Sequence, residues 1–408
     1  MTEPLTWVDR GWRGLLRRQL ASLRRGLVVF EDCDGTWQVG DRQSDCRATI
    51  RIRDPRVYGR LILGGDLGAA ESFMDGDWTC DDLTQLVRVF VRNLDLAEAW
   101  NGGWGRLRHL AARVEHLLRA NTRSGARRNI AAHYDLGNDF YRTFLDPTMN
   151  YSCGIFEMPH ATLEQASLAK MERACRRLDL RPGQSLMEIG TGWGAFAMHA
   201  AMRYGVHITT TTISGEQWQV ARERIDDAGL AGQVELLQQD YRDLSGQFDR
   251  LVSIEMVEAV GHEYLATYLE QCGRLLKPDG FMLLQAIVIQ DARYERHVRS
   301  VDFMRKYIFP GGCLPSISRL THTASAAADM RLVHLEDFSA HYAQTLRCWR
   351  SNFHRNLAAI RALGYDDRFL RMWDYYLAYC EAAFEERQVN LVQMLLAKRE
   401  YRPEALQP

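Results

Sequence analysis

Strand-like and helix-like segments alternate from about residue 160 onward, and this alternation predicts an α/β fold with a mostly parallel sheet covered by helices on both faces. Two further observations support the prediction. The first strand-like segment leads directly into a glycine-rich turn, and the residues before residue 130 form regions of a different character. We therefore expect an α/β domain with helical cap elements, preceded by a small N-terminal α+β domain.

The N-terminal part of the chain divides into two regions. Residues 1–100 contain short alternating segments, such as RATIRIRD at 47–54, separated by glycine-rich turns, which predicts a small α+β domain. Residues 101–130 carry seven arginines against one acid, with leucines and valine at helical spacing. This pattern predicts a basic helical connector. It suits either a helix at a membrane interface or a linker helix packed on its own protein. Residues 131–408 remain as the third domain.

The segments of the third domain can be assigned in order. Thr162 and Gln165 have the spacing of a capping box, which predicts a helix running to Asp179. The aromatic-rich stretch at about 340–400 is predicted to be helical. Between these regions we expect strands at 185–190, 207–212, 234–238, 250–255 and 281–289, alternating with helices at 195–204, 216–228 and around 263–277.

Composition argues against several classes of protein. The nine cysteines contain no CxxC pair, so neither a metal site nor a disulfide scaffold is expected and a reducing cytoplasm fits best. The N-terminus lacks the apolar core of a signal peptide. The longest apolar runs fall far short of the about 18–20 residues that span a bilayer. A net charge of -1 and the absence of an N/D-P-P-Y-type motif disfavour a nucleic-acid methyltransferase, so no nucleic-acid partner is expected.

The sequence MEIGTGWG at 187–194 places Gly190, Gly192 and Gly194 on the turn between a strand and its helix. Glycines here let the backbone approach a ligand closely. A dinucleotide is disfavoured because the third glycine of G-x-G-x-x-G is missing and the next strand ends without an acid for a ribose hydroxyl. S-adenosylmethionine (SAM) fits better. The carboxylate of Asp240 would accept a hydrogen bond from the adenine amino group, and the ring of Tyr241 would pack on the base.

Several long motifs occur in an order that resembles the cyclopropane fatty acid synthases, a family that includes the mycolic acid cyclopropanases. The resemblance implies a Rossmann-like SAM-dependent methyltransferase domain, a lipid-binding N-terminal domain, and modification of unsaturated acyl chains of membrane phospholipids. The matching motifs are HYDLGNDFYRTFLDPTMNYSCGIF (133–156), MEIGTGWG (187–194), TISGEQ (212–217), SIEMVEAVGHEY (253–264), YIFPGGCLPS (307–316) and, in the N-terminal region, GGDLGAAESFMDGDW (64–78).

The resemblance also implies roles for residues that bind SAM. The segment 133–153 would lie over the SAM pocket beside the acyl channel, with His133 and Tyr134 in a lid. Tyr151 and Ser152 match positions near the methionyl end of SAM. Thr212 begins the TISGEQ motif, and Gln217 would reach SAM. Gln217 has a second expected role, because Ser214 and Gln217 also have the spacing of a capping box. Capping the helix and contacting SAM need not exclude each other.

The family uses a bound bicarbonate ion as a base, and its ligands map onto Cys153, Glu258, Ile287 and Tyr307. Cys153 and Ile287 would contribute main-chain contacts, and Tyr307 its hydroxyl. Gln285 stands where the best-known bacterial members have a histidine, and its amide can donate to the ion but cannot take up a proton. Glu258 beside an anion needs a raised pKa or a protonated ion. The walls should be apolar or aromatic, with Trp193, Phe156 and Phe303 as candidates.

The expected activity is that of a cyclopropane-fatty-acyl-phospholipid synthase, and two alternatives stay open. One is a SAM-dependent fatty-acyl methyltransferase giving a methylene- or methyl-branched product, which Gln285 and Ala259 keep open. The other is a non-catalytic lipid-binding protein, against which four residues argue: Gly190, Gly192, Glu258 and Tyr307. The expected partners are phospholipids with unsaturated chains and an anionic membrane surface, which attracts arginines. We expect peripheral association with the inner face of the membrane. The sequence also allows a homodimer.

Overall fold

The computed structural model describes residues 4–94 and 136–402, which form two compact units. The N-terminal unit comprises residues 4–94, 299–310 and 346–388, and the large unit comprises residues 136–298, 311–345 and 389–402. Two segments from the second half of the chain thus belong to the N-terminal unit, which differs from the predicted division into consecutive domains. The predicted connector at 101–130 lies outside the described residues, as do His133 and Tyr134.

Helices and strands of the described residues are numbered in chain order. The helices are α1 (Trp7–Gln19), α2 (Val57–Asp75), α3 (Leu83–Arg92), α4 (Asn138–Arg142), α5 (Leu163–Arg177), α6 (Ala195–Tyr204), α7 (Gly215–Asp227), α8 (Leu265–Leu275), α9 (Asp291–Arg299), α10 (Ile317–Ala328), α11 (Ser339–Arg355), α12 (Leu357–Ala362) and α13 (Asp367–Glu385). The strands are β1 (Leu27–Asp32), β2 (Gly35–Gly40), β3 (Arg47–Ile52), β4 (Trp78–Cys80), β5 (Ser185–Ile189), β6 (His207–Thr211), β7 (Val234–Leu237), β8 (Phe248–Ile254), β9 (Leu276–Ile289), β10 (Met330–Asp337) and β11 (Val389–Lys398).

The N-terminal unit has the predicted α+β character. Its four-stranded sheet has the order β2-β1-β3-β4, with β1 antiparallel to β2 and parallel to β3. In β3 the apolar residues Ala48, Ile50 and Ile52 are buried and alternate with more exposed ones, as the RATIRI pattern predicts. Helix α13 packs against α2 and α3, which explains why this late segment belongs to the N-terminal unit.

The large unit contains a seven-stranded sheet with the order β10-β11-β9-β8-β5-β6-β7. Strands β5 to β9 pair in parallel, so the predicted α/β fold with a mostly parallel sheet is confirmed. The strand order reverses at β5, which pairs with both β6 and β8. In open α/β sheets, ligands bind at the carboxyl ends of the strands at such a reversal. The turn after β5 is therefore the expected ligand site.

The prediction for the C-terminal stretch is partly wrong. Helices α11, α12 and α13 occupy much of it, but β11 follows and lies between β9 and β10, antiparallel to both. Its LVQMLLA segment is mostly buried. A short apolar run buried on both faces of a sheet has no alternation that separates it from a helix. The pairing partners of β11, which are distant in sequence, decide its conformation.

The predicted start of α5 is confirmed. The hydroxyl of Thr162 accepts a hydrogen bond from the backbone N–H of Gln165, whose side chain accepts one from the backbone N–H of Thr162. This reciprocal capping box fixes the first turn of the helix. Within residues 4–94 and 136–402, no helix combines the length and hydropathy required to cross a membrane.

Candidate active site

The glycine-rich turn connects β5 to α6 at the point where the strand order reverses. Gly190, Gly192 and Gly194 have φ of 106°, 54° and 85°, conformations that favour glycine. The backbone N–H groups of Gly190 and Thr191 both donate to the carbonyl of Thr211 at 3.1 Å, which fixes the turn to the end of β6. Among the described residues, no atom lies within 4 Å of the position that a Cβ on Gly192 would take. The turn thus leaves open space for a ligand, as a SAM site requires.

Glu188 lies on β5 just before this turn and is almost completely buried. Its carboxyl group accepts a hydrogen bond of 2.6 Å from the hydroxyl of Thr210 on β6, and the hydroxyls of Thr210 and Thr191 lie 2.7 Å apart. Burial raises the pKa of Glu188 to about 8, and the bond from Thr210 only partly opposes this effect. At neutral pH the group is therefore mostly protonated and connects the two strands beneath the turn.

Residues after β6 adopt half of the predicted capping box. The hydroxyl of Ser214 accepts a hydrogen bond of 3.3 Å from the backbone N–H of Gln217 and so caps α7. The side chain of Gln217, however, accepts a hydrogen bond of 3.1 Å from the hydroxyl of Thr212 instead of returning to the cap. The reciprocal bond that the S-x-x-Q spacing predicts is therefore not the one formed. The predicted contact of Thr212 and Gln217 with SAM stays a prediction.

Asp240 and Tyr241, predicted to hold adenine, have protein partners. The guanidinium of Arg242 donates to both carboxylate oxygens of Asp240, at 2.8 and 2.9 Å. The ring of Tyr241 is buried and packs edge-on against Tyr268, with ring centroids 5.3 Å apart. Arg242 also lies over the Tyr241 ring, at 5.2 Å. No sequence motif had indicated a role for this arginine, and the adenine contacts of Asp240 and Tyr241 stay a prediction.

The aromatic segment before Cys153 covers the glycine-rich turn, at least over its described part. Tyr141 packs against Trp193 of the turn with ring centroids 5.0 Å apart, and against Tyr151 at 5.3 Å. The indole N–H of Trp193 donates to the side chain of Asn138 at 2.6 Å. Aromatic side chains of this segment therefore pack on the turn instead of forming an exposed aromatic surface.

Lys170 is a buried cation that the sequence analysis missed. Its ammonium group donates to Asn150 at 2.8 Å and to the hydroxyl of Ser152 at 2.7 Å, and the residue is 1% exposed. Burial lowers its pKa, while nearby Glu255 opposes this change. The lysine lies on the buried stripe of α5, four residues after Ala166. A charged residue at helical spacing within an apolar stripe is the signal that could have identified it.

Glu255 is a second residue that the sequence analysis missed, although it lies within the SIEMVEAVGHEY motif. It follows β8 and has a φ of 50°, which is unusual for a residue with a side chain. Its Oε1 accepts hydrogen bonds from the backbone N–H of Cys153 at 3.0 Å and from the amide of Gln285 at 2.7 Å. Its Oε2 accepts one from the hydroxyl of Tyr342 at 2.5 Å. These contacts join four chain segments around one carboxylate.

Glu258 lies three residues later, with its carboxyl group close enough to sense the charge of Glu255. Its Oε1 accepts a hydrogen bond from the backbone N–H of Ile287 at 2.5 Å. Its buried Oε2 has no hydrogen-bond partner within the part of the chain that the structure describes. Burial, followed by the negative charge of Glu255, raises the pKa of Glu258 to about 8. The raised pKa that the sequence analysis required of Glu258 is thus present.

The acid pair is adjacent to the glycine-rich turn. A Cβ placed on Gly190 would come within 3.4 Å of the Cβ of Met256, which stands between the two glutamates in sequence. Glu255 and Glu258 both retain partial exposure although protein surrounds their carboxyl groups. Both follow β8 at the carboxyl end of the sheet, where ligands bind in folds of this kind.

The remaining candidates are distributed between the two units. The thiol of Cys153 is buried, and burial raises its pKa well above the ordinary value, so it is not a thiolate nucleophile. Gln285 uses both ends of its amide, since its nitrogen donates to Glu255 and its oxygen accepts a hydrogen bond of 2.8 Å from Gln393. Of the predicted aromatic walls, Phe156 lies beside His341, and Phe303 packs on Tyr375 in the N-terminal unit.

Tyr307 belongs to the N-terminal unit, so its predicted grouping with Glu258 stays a prediction. It lies in a single π-helical turn, Met304–Ile308. Its hydroxyl donates to the carboxylate of Glu71 at 2.8 Å, and Lys306 contacts the same carboxylate oxygen at 2.8 Å. Burial and Glu71 raise the pKa of Tyr307. Glu71, a buried acid in the apolar part of α2, was not predicted from the sequence to have a role.

Comparisons with known proteins agree with this geometry. The family model for mycolic acid cyclopropane synthetase matches residues 121–394. The chain is 36% identical over 393 residues to the tuberculostearic acid methyltransferase UfaA1 of Mycobacterium tuberculosis, covering 94% of this chain and 90% of that relative. It is 38% identical over 355 residues to the cyclopropane-fatty-acyl-phospholipid synthase of Escherichia coli, covering 86% and 88% of the two chains.

Solved structures extend the comparison to the fold. The mycolic acid cyclopropane synthase CmaA1, complexed with SAH and CTAB, has a TM-score of 0.63 at 32% identity, covering 67% of this chain and 98% of that chain. Coclaurine N-methyltransferase, bound to N-methylheliamine and SAH, shares the fold with a TM-score of 0.60 at 20% identity. Because the family model and both relatives cover most of the chain, this protein belongs to the mycolic acid cyclopropane synthetase family and is a SAM-dependent methyltransferase.

Proposed function

We propose that this enzyme transfers a methylene group from SAM to the cis double bond of an unsaturated phospholipid acyl chain and forms a cyclopropane. The observation that carries this proposal is the buried acid pair, Glu255 and Glu258, beside the turn expected to bind SAM. Transfer of a methyl group to an alkene carbon requires SAM to be held in line with the double bond. Ring closure also requires removal of a proton from the newly added methyl group, in a site that water does not enter.

The residues of the turn fit SAM. The backbone of Gly190 to Gly194 would lie against the ligand, and the open space above Gly192 would accept it. SAM supplies a methyl group on a cationic sulfur. The aromatic cover formed by Tyr141, Tyr151 and Trp193 would exclude water from the acyl chain, where methyl addition leaves a positive charge on a carbon atom.

The residues do not fit bicarbonate in the way that the family resemblance implies. The N–H groups expected to hold the ion donate to protein carboxylates, those of Cys153 and Gln285 to Glu255 and that of Ile287 to Glu258. Among the residues mapped to this ion, Oε2 of Glu258 is the buried side-chain atom that has no hydrogen-bond partner within the described part of the chain. We therefore assign no step of the reaction to this ion.

We also propose that the substrate is reached at an anionic membrane surface, with the N-terminal unit as the lipid-binding part of a cytoplasmic, peripherally associated enzyme. Helix α1 supports this proposal. Trp7 at its start is 84% exposed, and Val8 and Leu15 are also exposed. The basic residues of its last turn are Arg17 and Arg18. An exposed apolar stripe flanked by arginines suits the boundary between head groups and acyl chains.

A vesicle-binding experiment tests this membrane surface. The double variant Trp7→Ser with Leu15→Ser should bind vesicles containing phosphatidylglycerol at least about tenfold more weakly, because burying each large apolar side chain contributes about 1.5–3 kcal/mol. Met202→Ser serves as the control, since it removes an exposed apolar side chain from α6. Equal binding by the double variant and the wild type would refute the role of α1.

The catalytic proposal is tested by mass spectrometry of fatty-acid methyl esters from cells that express the protein, beside an empty-vector control. A monounsaturated chain should become heavier by one CH₂ group, and the product should resist mild hydrogenation. The absence of any new lipid, despite SAM binding by the purified protein, would contradict the proposal.

A second activity is supported by one specific observation. The relative that covers 94% of this chain is a tuberculostearic acid methyltransferase. A SAM-dependent fatty-acyl methyltransferase giving a methylene- or methyl-branched chain would begin with the same methyl transfer and lose a different proton. A product heavier by one CH₂ group that takes up hydrogen would indicate a methylene branch. A saturated branched product would indicate a subsequent or coupled reduction.

A further inference from the structure

Glu255 occupies the hydrogen-bond donors that the family resemblance assigns to a bound anion. The backbone N–H of Cys153 and the amide of Gln285 donate to its Oε1 at 3.0 and 2.7 Å, and the hydroxyl of Tyr342 donates to its Oε2. A carboxylate and bicarbonate present similar acceptors, two oxygens that share a negative charge. In this chain, a side chain of the protein therefore fills the position expected for the ion.

The backbone of Glu255 adopts an unfavourable conformation. Its φ of 50° lies in the left-handed region, which is unfavourable for a residue other than glycine. Its N–H donates to the carbonyl of Gln285 at 2.8 Å, which fixes this conformation between the ends of β8 and β9. Strained backbone of this kind persists where the surroundings require it and occurs often at functional sites. Here it accompanies a carboxylate that accepts hydrogen bonds from Cys153, Gln285 and Tyr342.

We propose that the carboxylate of Glu255 replaces bicarbonate as the proton acceptor in ring closure, an inference that rests on the proposed function. Methyl transfer forms a bond to one alkene carbon and leaves the positive charge on the other. Glu255 accepts a proton from the new methyl group, and the electron pair of that C–H bond forms the third bond of the ring. Glu255 becomes a neutral acid, and its proton passes to solvent before the next turnover.

The hydrogen-bond donors around the two glutamates differ in a way that fits this division of roles. Burial raises the pKa of Glu255, and three donors oppose this rise by stabilising its ionised form, as does the cation of Lys170. Glu258 receives one donor from another residue, the N–H of Ile287, and burial together with the charge of Glu255 raises its pKa to about 8, so it is mostly protonated at neutral pH. Neighbouring carboxyl groups whose environments differ in this way commonly divide into a base and an acid.

The deciding variant is Glu255→Gly. Glycine adopts a φ of 50° without strain, so the variant should fold, and loss of the carboxylate frees the donors of Cys153 and Gln285 for an added anion. Asp329→Gly is the matched control, because it makes the same change at an exposed position with φ 49° at the end of α10. Product formation is measured with SAM and unsaturated phospholipid vesicles in buffer depleted of carbon dioxide, with and without millimolar bicarbonate.

The wild type and Asp329→Gly should keep their activity without bicarbonate. Glu255→Gly should lose at least about 100-fold, the range expected for a general base, and should regain activity when bicarbonate is added. Wild-type activity that disappears without bicarbonate and returns with it would overturn the proposal.

A binding measurement separates this inference from the proposed function. In nuclear magnetic resonance with ¹³C-labelled bicarbonate and no lipid, Glu255→Gly should bind the ion and the wild type should not. Specific binding by the wild type at the same site, abolished by Glu258→Gln, would overturn the inference whether or not the enzyme forms a cyclopropane. A wild type that neither forms product nor binds the ion would contradict the proposed function alone.

Discussion

Replacing Glu188 by glutamine should remove a large pH dependence from the free energy of unfolding. In the folded protein, burial raises the pKa of this carboxyl group from its ordinary value of 4.5 to about 8. Between these two values the folded state holds a proton that the unfolded state has released. The contribution of Glu188 to stability is therefore fully present below about pH 4.5 and is lost as pH rises to about 8.

The size of this loss follows from the pKa. At about 1.4 kcal/mol per pKa unit, the complete loss is about 5 kcal/mol, of which about 4 kcal/mol falls between pH 5 and pH 9. Glutamine has nearly the same shape, can still accept the bond from Thr210, and stays neutral throughout. The stability of Glu188→Gln relative to the wild type should thus increase by about this amount as the pH rises.

Equilibrium urea unfolding at several pH values between 5 and 9 measures this difference. Glu235→Gln is the matched control, because Glu235 on β7 also accepts a hydrogen bond from a threonine, Thr209, but is exposed. It therefore controls for removal of a negative charge from the sheet. If the difference in free energy of unfolding between the wild type and Glu188→Gln stays constant across this pH range, the reasoning about burial is refuted.

Three further predictions concern the site and its supports. Gly192→Val should weaken SAM binding at least about tenfold in isothermal titration calorimetry, because valine at a φ of 54° is strained and its side chain enters the ligand space. The control Gly183→Val, at a φ of 82° in another open position, should leave SAM binding unchanged. Lys170→Met should lower the free energy of unfolding by about 1–3 kcal/mol, since two buried acceptors lose their donor, and an unchanged melting temperature would contradict this. Glu71→Gln should lower the pKa of Tyr307, because the negative charge that raises this pKa is removed. The shift is measured by ultraviolet titration of Glu71→Gln, from which the titration of the double variant Glu71→Gln with Tyr307→Phe is subtracted.

The position of Gln285 illustrates how a substitution within a family acquires meaning from its neighbours. Viewed alone, a glutamine in place of a histidine removes a group that can carry a proton. In the structure, Gln285 donates to Glu255 and accepts from Gln393, so it orients a carboxylate that can carry one. The two residues act as one unit, and a variant at either should be interpreted together with the other.

The sequence alone determined the features that depend on neighbouring residues. The capping box at Thr162 and Gln165, the glycine-rich turn and the alternation of strands with helices follow from hydrogen bonds and backbone preferences within a few residues. The motifs were sufficient to indicate the family and its cofactor. The same local reasoning misassigned part of the C-terminal stretch, since the conformation of β11 depends on strands that are distant in the chain.

Only the tertiary structure decided which groups meet in the site and what charge they carry. Glu255 accepts hydrogen bonds from Cys153 and Tyr342, which are 102 and 87 residues away in the chain. Contacts between residues so far apart cannot be predicted from the spacing of residues in the sequence. The same holds for Lys170 on its buried stripe. The pKa values of Glu188 and Glu258 follow from burial, because removal from water penalises the charged form, and burial is a property of the assembled fold. The sequence thus indicated residues of the expected site, and the fold brought the Glu255 carboxylate into contact with Cys153 and Gln285 among them.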